Sequence, residues 1–229
     1  MLADPMGELY RSIGDDEPVE IRIGYRNEDP SIWKGTVAWK KHGTKDQIEV
    51  GVAGEESPLA ETLITMSWSN ETPEAIVRYA INRSGLSAGQ IDSPGVTLPR
   101  YVASNIPVWQ VARQCEHTCQ HAFGSNMSKW ALWMGADGKV NWGDFDESGE
   151  VPVIATAAGL IKHLPSQDNS GLSMVETFLL AGFMHSMKFR LVDIRRGIND
   201  EFRALRVRHE VKDVSVRTFI WYGEEYGQF

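Results

Sequence analysis

Hydrophobic positions along the chain change their period twice. Val19, Ile21, Ile23 and Tyr25 alternate with Glu20, Arg22, Gly24 and Arg26. That two-residue period belongs to a strand with one buried and one wetted face. Residues 35–41 and 46–53 continue the alternation. Ile48, Val50 and Val52 share one face, and His42-Gly43-Thr44 makes the turn between the two runs. Residues 63–68 add a fourth run. Short strands joined by turns predict a sandwich or small barrel.

From Thr72 the spacing becomes helical. Thr72 suits an N-cap, Pro73 the first helical position and Glu74 the first turn. Ile76, Val77, Ala80 and Ile81 form the buried stripe, and Gly85 ends the helix in a left-handed turn. A Gly-, Ser- and Pro-rich loop over residues 84–99 precedes a second helix predicted over 107–123. Val108, Val111, Ala112, Cys115, Cys119 and Ala122 lie on one side of it, and Gly124 stops it. Residues 130–134 and 139–142 bracket Asp137-Gly138, a hairpin signal.

The acidic run 144–150 reads as a linker, and beyond it alternation returns. Residues 189–194 predict a strand, Arg195-Arg196-Gly197 a turn, and 201–211 a long strand. In that strand Leu205, Val207, His209 and Val211 oppose Arg206, Arg208, Glu210 and Lys212. Lys212-Asp213 turns the chain into a last strand, 214–222. Over residues 174–187 a helix and a buried strand pair both fit the spacing. The order is β, then α/β, then β, in stretches 1–71, 72–150 and 151–229.

Composition narrows the function. With 229 residues, 42% hydrophobic and 24% charged, the chain is not a disordered one. A net charge of -8 with dispersed basic residues argues against specific nucleic-acid binding, which needs a basic patch to neutralise phosphates. Such an acidic surface suits a protein that DNA slides past. Two cysteines make no disulfide framework. The N-terminus has no basic and apolar leader pattern. The longest apolar runs fall short of the roughly 20 residues of a membrane span. A reducing, soluble compartment is expected.

Cys115-Glu-His117-Thr-Cys119-Gln-His121 is the one constellation that suggests zinc or a cysteine nucleophile. At ~100° per residue, however, the cysteines and the histidines lie about 200° apart around a helix and cannot converge on one ion. Buried structural cysteines with exposed histidines are expected. A two-ligand site completed by His163 or His185, or a small Cys/His metal-dependent enzyme or binding module, is the rival reading. Asp144, Asp146, Glu147 and Glu150 are too closely spaced for a calcium loop. His209, on the apolar side of its strand, is expected to be a hydrogen-bonded core residue. No nucleophile elbow, phosphate loop or dinucleotide fingerprint occurs, so no catalytic residue, metal or cofactor is assigned.

The wording of the C-terminal strands resembles the tail-hub proteins of phages with contractile tails. Phe189-Arg-Leu-Val-Asp-Ile-Arg-Arg-Gly, leading to Val207-Arg-His209-Glu-Val211, is similar to the strand, glycine turn and strand that close the family's second barrel. Residues 19–25 followed by Trp33-Lys-Gly35-Thr-Val37 resemble its opening strands. Asn70-Glu-Thr72-Pro-Glu-Ala-Ile-Val77, with residues 108–124 and the 130–142 hairpin, resembles its inserted middle domain. The Pro-Gly-Asp lead-in of the family is missing before Phe189.

The resemblance implies an α+β, mainly β fold: two tube-like β-barrel modules, 1–71 and 151–229, flanking a small α/β insertion, 72–150. It implies a non-enzymatic structural virion protein of the tail or baseplate, made in the host cytoplasm. The expected assembly is a homotrimer that adapts a six-fold tail tube to a three-fold spike and lines the DNA channel. Its partners would be the tail tube protein, the spike protein and other baseplate proteins. A six-fold tail-tube or distal-tail subunit is the near alternative. Arg195 and Arg196 in their turn, and Trp221 and Tyr222 at the end of the last strand, are the candidate subunit or partner interface, with one aromatic of the pair alternating outward.

Overall fold

Strand alternation at the N-terminus builds an open sheet. The structure, a computed structural model, describes residues 2–25, 29–43, 46–127, 129–135, 137–145, 150–166, 171–212 and 215–223. The first elements are Leu2–Ala3 (β1), helix Glu8–Ser12 (α1), Pro18–Ile23 (β2), Ser31–His42 (β3) and Gln47–Gly54 (β4). The sheet order is β1-β4-β3-β2. In β2 the half-buried residues are Val19, Ile21 and Ile23, as the period of two requires. Val37 and Ile48 are fully buried.

The run at 63–68 does not complete this sheet as expected. After the one-turn helix Pro58–Glu61 (α2), strand Leu63–Glu71 (β5) passes into the insertion and pairs there with a later strand. Alternation identifies a strand and its buried side but not its partner. Among the described residues the first module is therefore a four-stranded sheet that does not close, in place of the expected barrel.

The insertion continues with Pro73–Arg83 (α3), Ala88–Ile91 (β6), Leu98–Pro107 (β7), Val108–Phe123 (α4), Trp130–Met134 (β8) and Val140–Asp144 (β9). β5 pairs antiparallel with β7, while β6, β9 and β8 form a three-stranded sheet. Ile76, Val77, Ala80 and Ile81 on α3 and Val108, Val111, Ala112, Cys115 and Cys119 on α4 are all fully buried. Each large aliphatic side chain so removed from water contributes about 1.5–3 kcal/mol. Thr72 occupies the N-cap position in extended backbone, yet its side chain makes no cap bond; the Glu71 carboxylate accepts its amide instead (3.0 Å). Gly124 closes α4 at φ 70°, a conformation glycine adopts without steric cost.

The C-terminal stretch is a closed barrel. Val153–Thr156 (β10), Gly159–Leu164 (β11), Leu172–Phe178 (β12), Lys188–Asp193 (β13), Ile198–Lys212 (β14) and Ser215–Gly223 (β15) close in the order β10-β11-β12-β15-β14-β13. The ambiguous stretch 174–187 ends the strand at Phe178 and runs on through turns. Ile154, Val175, Phe189, Leu191, Ala204 and Ile220 fill the interior. The register of β14 against β15 shifts between Ala204 and Arg206. Leu205 is thus the extra residue of a bulge, and the inward phase moves from Phe202 and Ala204 to Val207 and His209.

By contacts the chain forms two compact units, Met1–Val52 with Glu147–Phe229, and Ala53–Asp146. Most of the acidic run expected as a linker, residues 146–149, lies outside the described residues, as do Thr44 and Asp213 of two expected turns.

Candidate functional site

Arg195 and Arg196 sit on a single 3₁₀ turn, Ile194–Arg196, between β13 and β14. Asp193 holds that turn. Its Oδ1 accepts from the Arg195 amide (3.1 Å) and its Oδ2 from Arg196 Nη1 (2.9 Å). Oδ2 also accepts from His163 Nδ1 at 2.7 Å, and His163 Nε2 lies 2.7 Å from the Tyr222 hydroxyl. A carboxylate only accepts, so Nδ1 carries a proton and donates it to Asp193, while Nε2 and the Tyr222 hydroxyl share the other hydrogen bond. His163, Asp193 and Tyr222 are 5%, 2% and 4% exposed. The His163 hydrogen bond, and after it Arg196, hold the Asp193 carboxyl below the usual carboxylate range. Burial pushes the Tyr222 hydroxyl up.

This relay separates the two aromatic candidates. Tyr222 is an interior brace reaching Asp193 through His163, whereas Trp221 turns to the outer wall. There Arg206 and Arg208 approach the Trp221 ring at 5.8 and 5.7 Å, Arg208 covers Phe219 at 4.4 Å, and Arg217 covers Phe178 at 5.2 Å. Phe178 is 53% exposed. Arginine and aromatic side chains layered in this way are the types that anchor protein interfaces.

The open sheet presents a different surface. Among the described residues β2 is its outermost strand on one side, and on the other the two-residue β1 covers only Gln47 and Ile48 of β4. The Val37 amide donates to Glu17 O and Asp16 N to Val37 O (both 3.0 Å), with Asp16 at φ 58°. Alternation from that pair turns the amides of Val19, Ile21 and Ile23 toward β3 and those of Glu20 and Arg22 outward. Pro18, also outward, has no amide to offer.

The Cys/His helix divides as its spacing predicts. Cys115 and Cys119 are fully buried; burial pushes both thiols up, Cys119 to about 11. His117 and His121 are exposed on the other face. Among the described residues no group of three or more His, Cys, Asp or Glu side chains is placed to hold a metal ion. His163 has both ring nitrogens engaged and has none to spare as a completing ligand. Asp144 ends β9, where its amide donates to Asp92 Oδ2 (3.2 Å).

His209 is held in one neutral tautomer. Its Nε2 donates to Phe183 O (3.1 Å), and its Nδ1 accepts from Thr218 Oγ1 (3.0 Å), which in turn accepts from the Leu180 amide (3.0 Å). Burial lowers its pKa, and Trp33 packs against it at 4.8 Å.

Sequence reasoning missed three buried carboxylates. Asp4 accepts from the amides of Leu9 (3.0 Å) and Tyr10 (2.8 Å) ahead of α1. Glu116 faces the insertion core and accepts from Trp142 Nε1 (2.9 Å); nothing in the helical spacing marks it. Asp193 was findable: an Asp four residues before Gly197, around a short turn, is a capping pattern.

No family model matches the chain, and no curated protein matches it by sequence. Among solved structures it is similar to the tail protein from Neisseria meningitidis MC58. The two share 10% identity at a TM-score of 0.54, over 86% of this chain and 84% of that one. It is also similar to the 43 kDa tail protein of prophage MuSo2 from Shewanella oneidensis, at 9% identity and a TM-score of 0.54 over 98% of this chain and 87% of that one. At such identities the likeness is one of fold. The chain is a mainly-β protein that shares the fold of these two tail proteins. That agrees with the tail-hub resemblance carried by its sequence.

Proposed function

We propose that the protein is a non-enzymatic structural subunit of a phage tail or baseplate: a hub whose copies join into a three-fold ring around the DNA channel, between a six-fold tube and a three-fold spike. The observation that carries this reading is the open margin of β2, unpaired among the described residues, beside a barrel that closes on itself. An exposed strand margin invites pairing, and a sister copy satisfies it at no cost in new structure. The net charge of -8 supports a channel wall that does not retain DNA. Arg195, Arg196 and Trp221 serve as outward contacts to a neighbouring copy or to tube, spike or baseplate proteins, while Tyr222 supports them from within. No helix among the described residues is long and apolar enough to cross a membrane.

The test is the mass and symmetry of the purified full chain. Light scattering is expected to give three copies, and particle images a three-fold ring. Arg22→Pro removes an outward amide without touching the β2–β3 ladder, so it is expected to release folded single copies. A wild type that stays monomeric at high concentration overturns the proposal. A six-fold ring would favour a tube or distal-tail subunit instead.

A further inference from the structure

The chain holds six histidines, and four of them are accounted for. His42 stacks on Tyr10 at 3.8 Å between ring centroids. His163 and His209 have both ring nitrogens hydrogen-bonded. His185 Nδ1 meets Ser186 Oγ at 3.2 Å. The other two, His117 and His121, stand four residues apart on the exposed side of α4. Their ring centroids are 4.2 Å apart with 40° between the planes. Among the described residues, neither ring has a hydrogen-bond partner.

We propose that His117 and His121 form a two-imidazole chelate for a borderline divalent metal ion of the zinc or nickel class. Residues four apart share one face of a helix, so the backbone holds the two rings one above the other. Rings this close let one nitrogen from each reach a common ion at the usual ~2.0–2.1 Å, with small side-chain rotations. Neutral imidazole suits zinc, copper and nickel, whereas magnesium and calcium require oxygen.

Three features of the surroundings favour a cation here. The pair occupies the last turns of a helix that ends at Phe123, where free carbonyls and the negative end of the helix dipole lie. Arg113, one turn before His117, leans toward Glu116 (Nη1 to Oε2, 3.9 Å), and its charge is offset there. The thiols of Cys115 and Cys119 are buried on the opposite face and do not compete. Two imidazoles fill half of a tetrahedral shell, so the remaining positions face solvent and take water or a donor from another protein.

The experiment uses untagged full-length chain and the metal alone. Calorimetric titration with zinc chloride, repeated with nickel sulfate, is expected to saturate at one ion per chain. His117→Ala and His121→Ala each remove one of two bonds and are expected to weaken binding by roughly tenfold or more. His42→Ala is expected to leave it unchanged, and magnesium to give no signal. Both sites are exposed, so circular dichroism of the variants should match the wild type. Zinc should raise the melting temperature of the wild type and not of either variant, since only the chelating fold gains by linkage. No saturable binding, or binding that survives intact in either variant, overturns the proposal.

Discussion

The N-terminal sheet and the C-terminal barrel are written in the same alternating code, yet one stays open and the other closes. In the barrel every strand has two neighbours, because β13 pairs with β10. Its interior therefore excludes water on all sides, and polar groups inside must satisfy each other. His163, Asp193 and Tyr222 do so. Among the described residues the sheet keeps an outer strand with unspent backbone groups, and on its β3 Ile32 and Trp39 are 56% and 48% exposed. Closure is thus a matter of pairing rather than of alternation, and an open sheet stores its remaining bonds for a partner.

The contrast has measurable edges. Phe189 is fully buried and packs on Phe183, Phe202 and Tyr222. Truncation to Ala is expected to cost about 3–5 kcal/mol in denaturant unfolding, whereas Ile32→Ala on the open sheet should stay within about 0.5 kcal/mol. Asp193→Ala strands His163 and Arg196 together and is expected to cost roughly 2–3 kcal/mol. The same group sets an acid limit. Its folded pKa is depressed, so its contribution is complete at neutral pH and disappears as pH falls through that depressed value.

His209 gives a gentler effect. Its folded pKa lies below the ordinary ~6.5 because burial disfavours the imidazolium. The unfolded chain then binds the proton first. Stability is complete above the ordinary value and declines as pH drops from there toward the folded pKa. Melting curves between neutral and mildly acidic pH should show this decline, and His209→Gln should flatten it. A decline of equal slope in the variant would assign the effect to other groups.

Much of this architecture was legible because it is local. The stripe Ile76, Val77, Ala80, Ile81, the glycine stop at Gly124 and the face-splitting of Cys115 from His117 all follow from helical spacing, and all stand in the structure. Pairing was not legible. β5 carries an ordinary strand pattern, but its partner β7 begins at Leu98, beyond an intervening helix. Leu205 hid for a related reason: one extra residue shifts the inward phase without breaking the run of alternating types. The relay needed His163, Asp193 and Tyr222 brought together from three strands, and no local rule connects positions so far apart.

Pro18 gives the open sheet its restraint. By standing where an outward donor would be, it leaves β2 two outward amides, at Glu20 and Arg22, each flanked by charge. A fastening of two amides is feeble when made once. It becomes firm when copies close a circuit and every fastening supports the next, so this margin favours completed assemblies over stray couples.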